Sequence, residues 1–106
     1  MAKYLMVGSY TAEGAKGILK EGGSTRLEAA AQLIESVGGK FESLYWGFGS
    51  DDFYATADFP SHAAAAAVAL KIGGSGTSRV RTIPVLTADD LDAASKMSPI
   101  FRPPGA

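Results

Sequence analysis

The side chains of this 106-residue chain that could do chemistry are few. Asp51 and Asp52 sit side by side in the turn-rich stretch Gly49-Ser50-Asp51-Asp52. A turn can aim both carboxylates at one point, where like charges raise one pKa and ready a carboxyl for proton transfer. Short acids also satisfy backbone donors in turns, and the residue types favour that structural role. Tyr10 brings a phenol to the end of a strand near Glu13 and Lys16, and Trp46 brings a flat aromatic surface. Each suits the wall of a small-molecule pocket, or the packing of a core or interface. The candidate ligand-binding residues are therefore Tyr10, Trp46, Asp51 and Asp52, and no residue is assigned a catalytic part.

Other chemistries are excluded by what is missing. The chain has no cysteine and one histidine, so it offers no disulfide, no thiolate nucleophile and no two-histidine metal site. His62 at a helix start reads as a solvated or capping residue, and Ser61 beside it lacks the third member that would activate a hydroxyl. Gly47-x-Gly49-x-x-Asp52 lacks the third glycine of a dinucleotide fingerprint and joins two strands. Gly38-Gly39-Lys40 is followed by Phe41 where a phosphate loop needs Ser or Thr. No cofactor and no metal is expected. Ten basic against eleven acidic residues give a net charge of -1, without the basic excess that nucleic acid demands. The apolar run Ala63 to Leu70 falls far short of the roughly 20 residues that span a bilayer, and Tyr4 to Val7 is too short for a signal peptide. A cytoplasmic protein without a membrane partner is expected.

The elements that must position the candidates follow from the apolar pattern. Tyr4 to Tyr10 is apolar on both alternating sets and reads as an internal strand. Thr11 to Lys20 allows a helical turn or two, weakened by Gly14 and Gly17. After Gly22-Gly23, Thr25 and Glu28 form a capping box for an amphipathic helix with the stripe Leu27, Ala30, Ala31, Ile34 and Val37, stopped by Gly38-Gly39. Phe41 to Phe48 and Phe53 to Phe59 make a hairpin. Ser61 caps an alanine-rich helix from His62 to about Ile72. Arg79 to Val85 is an edge strand because Pro84 cannot donate to a ladder. Thr87 with Asp90 caps a short helix to about Lys96, and the chain from Pro99 is irregular.

The order is β-α-β-β-α-β plus a short C-terminal helix. This is an α+β fold of the ferredoxin-like kind, a four-stranded antiparallel sheet with both long helices on one face. One domain over 1–98 and a tail over 99–106 are expected. Alternation on the third strand assigns Phe53, Ala55, Ala57 and Phe59 to the helix face and Tyr54, Thr56 and Asp58 to the other. On the first strand, Leu5 and Val7 are assigned to the helices, and Tyr4, Met6 and Tyr10 to the helix-free face. A helix-free face carrying Tyr and Met is too apolar for open solvent, and a second copy of the chain is its economical cover.

Five stretches together resemble the GYD domain family. They are Tyr4-Leu5-x-x-Gly8-Ser9-Tyr10-Thr11-x-Glu13-Gly14, Phe41-x-x-x-Tyr45, Gly49-x-x-Asp52, Asp58-Phe59-Pro60 and Thr82-x-Pro84-x-Leu86-Thr87. The resemblance runs from residue 3 to about 96. It implies a dimeric α/β barrel in which two ferredoxin-like units pack sheet to sheet, and it implies no particular activity. The chain departs from the family's Gly-x-Tyr-Asp pattern by carrying Asp51 in place of the tyrosine.

Two functions follow as expectations. One is a homodimer binding a small molecule between sheet and helices, near Tyr10, Trp46, Asp51 and Asp52. The alternative is a cofactor-independent oxygenase or isomerase of a small aromatic or unsaturated substrate, by analogy with other dimeric α/β barrels. A scaffold without a ligand is the third reading. With no metal required for folding, exhaustive chelation is expected to leave the melting temperature unchanged. A fall of several degrees that zinc or magnesium reverses would contradict this.

Overall fold

Seven elements follow one another: β1 (Ala2–Tyr10), α1 (Ala12–Glu35), β2 (Lys40–Trp46), β3 (Phe53–Phe59), α2 (His62–Gly74), β4 (Ser78–Pro84) and α3 (Ala88–Ser95). The structure, a computed structural model, describes residues 1–106. Each helix starts at a hydroxyl that accepts from an otherwise orphaned backbone N–H. Thr11 Oγ1 accepts from Gly14 at 3.3 Å and Ser61 Oγ from Ala64 at 3.1 Å. Thr87 and Asp90 form the reciprocal capping box expected of them.

α1 differs from expectation. It begins at Ala12, capped by Thr11, and runs on to Glu35, broken at Gly22, whose φ of 78° and ψ of 177° are not helical and are open chiefly to glycine. Thr25 and Glu28 therefore lie inside α1, and the capping box assigned to them does not start it. The first half of α1 is fixed by its approach to the loop before β4. Thr11 N donates to the Thr77 carbonyl at 3.0 Å, and a Cβ on Gly14 would stand 2.0 Å from the same oxygen. The glycine that weakens the helix locally is the one that lets it dock.

The sheet is antiparallel throughout, in the order β2-β3-β1-β4, which is the ferredoxin-like topology. β4 lies at an edge, as Pro84 requires. Register fixes the faces. Tyr4 pairs with Ala57, Met6 with Ala55 and Gly8 with Phe53, so each large side chain has a small one beside it. These residues carry the core, where Tyr4, Met6, Ala57 and Phe59 meet Ile34 of α1 and Ala65 and Val68 of α2. The Tyr4 ring stands edge-on to Phe59 at 5.4 Å, and its hydroxyl is hydrogen-bonded to His62 Nδ1, which satisfies the one polar atom the ring carries inward. Burial of a Met- or Phe-sized side chain contributes roughly 1.5–3 kcal/mol.

The assignment of β1 faces is thereby corrected. Tyr4, Met6 and Tyr10, expected on the helix-free face, lie on the helix face, with Tyr4 and Met6 4% and 3% exposed, and it is Leu5 and Val7 that alternate away, Val7 being itself 4% exposed. β1 is apolar on both alternating sets, so its own pattern does not fix its parity. The open face carries Leu5 and Val7 with Tyr54 (41% exposed), Tyr45 (70%) and Ile83 (37%). At one end lies a polar network. Lys3 is paired with Glu42 and reaches Asp58 at 3.3 Å, and Thr56 donates to Glu42 at 2.8 Å. The Lys3 contact holds the Glu42 carboxyl below its ordinary range and raises the Lys3 ammonium.

Beyond Val85 the chain contributes nothing to the core. Every residue from Leu86 to Ala106 is exposed, including Leu86, Leu91, Met97, Ile100 and Phe101. The radius of gyration is 16.9 Å and the long axis 57 Å, against about 13 Å of radius for a compact chain of this length.

The β1–β3 register makes Gly8 a sharp test. A Cβ there would stand 2.2 Å from Phe53 Cζ and 2.4 Å from the Arg79 carbonyl oxygen. Gly8→Ala is expected to cost about 2 kcal/mol or more, lowering the thermal midpoint by roughly 10 °C. Gly17→Ala meets nothing within 4 Å and is expected to hold or raise the midpoint.

Candidate functional site

The second half of α1 crosses the β2 side of the sheet and α2 lies on the β4 side, and between them the helix face of the sheet is incompletely covered. The gap is a cleft of about 130 Å³, walled by Met6, Leu33, Phe41, Leu44, Phe53 and Val68. Its outer end is polar. Tyr10, Arg26 and Ser78 border both the cleft and a second hollow of about 150 Å³ that Glu13, Glu21 and Thr77 line.

Tyr10 is held from two sides. Its backbone N–H donates to Asp52 Oδ2 at 2.9 Å, and its hydroxyl accepts from Trp46 Nε1 at 3.0 Å. Its ring leans on Phe53 at 5.2 Å. Burial raises the phenol above its ordinary pKa, against the opposing effect of the Trp46 hydrogen bond, so Tyr10 is neutral at physiological pH. Trp46 stands on the helix face of β2, its indole edge beside Gly23 just after the break in α1.

Asp52 closes the hairpin onto β1. Besides accepting from Tyr10, it donates its own N–H to the Gly8 carbonyl at 2.8 Å, and its carbonyl accepts from Gly47 at 3.0 Å. Asp51 turns elsewhere and faces Arg81 at 3.8 Å. Tyr10, Trp46 and Asp52 thus form one connected group, in which Tyr10 borders the cleft and the other two orient it. Asp51, at the position where the chain departs from Gly-x-Tyr-Asp, stands apart. His62 and Ser61 belong to the Tyr4 end of β1, roughly 20 Å from Tyr10 at strand rise. No three carboxylate or imidazole groups are placed to share a cation.

Arg26 was not singled out from the sequence. It precedes Ala30 and Leu33 at the spacing i, i+4, i+7, so it opens the inward stripe of α1, while Leu27 is 38% exposed. A charged residue heading an apolar stripe is the signal that could have found it. Arg26 meets Glu21 through Nε at 3.3 Å, and a guanidinium carries five donors, so one neighbour does not saturate it.

The GYD domain model matches residues 4–95. The chain belongs to the GYD domain family. The matched span runs from Tyr4 in β1 to Ser95 at the end of α3 and includes the Tyr10–Trp46–Asp52 group. No curated protein and no solved structure matches the chain. No helix of this GYD-domain protein is long and apolar enough to cross a membrane.

The clasp predicts a graded response at position 52. Asp52→Asn keeps an acceptor oxygen but loses its charge, and is expected to cost about 1 kcal/mol in urea unfolding. Asp52→Ala, which strands the Tyr10 N–H, is expected to cost about 2 kcal/mol. Equal stability of all three proteins would contradict the structural role.

Proposed function

We propose that this GYD-family protein binds a small, mainly apolar molecule in the cleft between α1 and the sheet, with the polar end of the molecule at Tyr10 and Arg26. The observation that carries the reading is the cleft itself, an apolar recess opening onto a neutral phenol and a guanidinium. Its size suits a ligand of about one aromatic ring, since an apolar cavity of about 150 Å³ accommodates benzene. The Tyr10 oxygen accepts from Trp46, which leaves its proton for an acceptor on the ligand. A carbonyl or carboxylate is the matching group, and Arg26 favours the anion. Asp52 and Trp46 serve as positioning residues, and Asp51 belongs to the rim of the β4 edge.

The functional unit in this proposal is a homodimer formed through the open sheet faces. Tyr45, Tyr54 and Ile83 beside Leu5 make a patch with the composition of an interface core. The cysteine-free sequence fits a cytoplasmic setting. The free phenol proton also favours a second reading, a cofactor-independent isomerase or oxygenase in which Tyr10 donates to an oxygen that gains charge during the reaction.

Trp46 is the only tryptophan and reports on Tyr10 directly. Small aromatic carboxylates are expected to quench its emission saturably, whereas Ala30→Phe, which places a ring in the cleft, abolishes the response and leaves the fold intact. Native mass spectrometry is expected to give a dimer, and Tyr54→Asp to raise its dissociation constant at least tenfold. Absence of saturable quenching across aromatic acids and their neutral analogues sinks the ligand reading, and a monomer at all concentrations sinks the dimer.

A further inference from the structure

The arm that begins at Leu86 contains a well-formed helix that buries none of its side chains in its own chain. α3 has eight residues, a complete capping box and no buried side chain. Isolated helices shorter than about 12 residues are marginal in water even in favourable sequences. Its exposed Leu91, with Leu86 before it and Met97, Ile100 and Phe101 after it, forms an apolar series that a solvated tail has no reason to carry.

Charge indicates what receives it. The arm is acidic where it is helical, with Asp89, Asp90 and Asp92 and no basic residue before Lys96. Asp89 and Asp92 are three residues apart and share a face. On the open face of the sheet, the β4 edge presents Arg79 and Arg81, opposite Ser9 and Val7. Both arginines are exposed, and Arg81 has only a 3.8 Å contact with Asp51.

We infer that the C-terminal arm of one protomer docks in trans on a second copy of this chain, with Asp89 and Asp92 of α3 against Arg79 and Arg81 of the partner's β4 and the apolar arm residues along the rim of the joined sheets. The inference rests on the sheet-to-sheet dimer proposed above. A two-fold axis lying between the sheets and across the strands reverses strand direction, bringing the Arg79 end of one β4 level with the Pro84 end of the other. Packed sheets lie about 10 Å apart. The chain between Pro84 and Ala88 spans up to about 13 Å, enough to cross that gap and deliver α3 to the partner.

The absence of cysteine from the chain makes the test direct. Two full-length proteins of different tag length, Asp89→Cys and Arg79→Cys, are mixed, allowed to exchange and mildly oxidised. The expected product is a disulfide-linked heterodimer, in excess of that from a control pairing Glu28→Cys with Arg79→Cys. In a single chain carrying both substitutions, a disulfide within the chain in place of one between chains would mean the arm folds back on its own protomer, and would overturn the inference. Truncation after Val85 is expected to raise the dimer dissociation constant at least tenfold. A dimer that persists with unchanged affinity and gives no excess of heterodisulfide overturns the arm while leaving the sheet-to-sheet dimer standing. A full-length monomer at all concentrations removes both.

Discussion

The register between β1 and β3 is the constraint on which the other features depend. Tyr4 beside Ala57, Met6 beside Ala55 and Gly8 beneath Phe53 alternate large with small across two central strands. A shift of one residue would set large against large and send the core residues of β1 to the open face. Everything above the sheet takes its position from this match. The helices rest on the layer that Tyr4, Met6 and Phe59 make, and the cleft is the part of that layer they do not reach. Tyr10 lies at the far end of the same alternation, which is why a phenol arrives at the mouth of the cleft.

Asp52 ties that register to the site. Its backbone bond to Gly8 and its carboxylate bond to Tyr10 join the hairpin turn to the last residues of β1, so the strand pairing and the placement of the phenol are set by one residue. A hydrogen bond to a charged acceptor is stronger than a neutral one. The other partner of Tyr10, Trp46, comes from β2, two strands away. Strand order thus gathers residues distant in sequence around one tyrosine, Asp52 at its backbone N–H and Trp46 at its hydroxyl.

Much of this was legible in the residues. The topology followed from the order of apolar patterns, the edge position of β4 from Pro84, and two helix starts from Ser61 and Thr87. The structural bias of Asp52 followed from its being a short acid in a turn. The faces of β1 were not legible from β1 alone, because both of its alternating sets are apolar. The information lay in β3, whose Ala55 and Ala57 leave room that only Tyr4 and Met6 fill. The first half of α1 was undervalued because Gly14 was judged by helix propensity, whereas its contact with Thr77 is tertiary and outweighs that cost. Arg26 escaped notice because a charge at the head of an apolar stripe reads as surface until a cleft lies beneath it.

The break at Gly22 has a consequence for the cleft. A continuous helix transmits displacement along its length, since its hydrogen-bond ladder couples every turn to the next. At Gly22 the helical geometry is interrupted, so α1 is built as two levers joined at one residue. The first is clamped to the loop before β4 through Thr11 and Gly14, and the second lies over β2. Arg26 and Leu33 both ride on the second lever, one at the mouth of the cleft and the other in its wall. The half of α1 that walls the cleft thus meets the clamped half at a single residue without a side chain, and its direction over the sheet is set by that one backbone position.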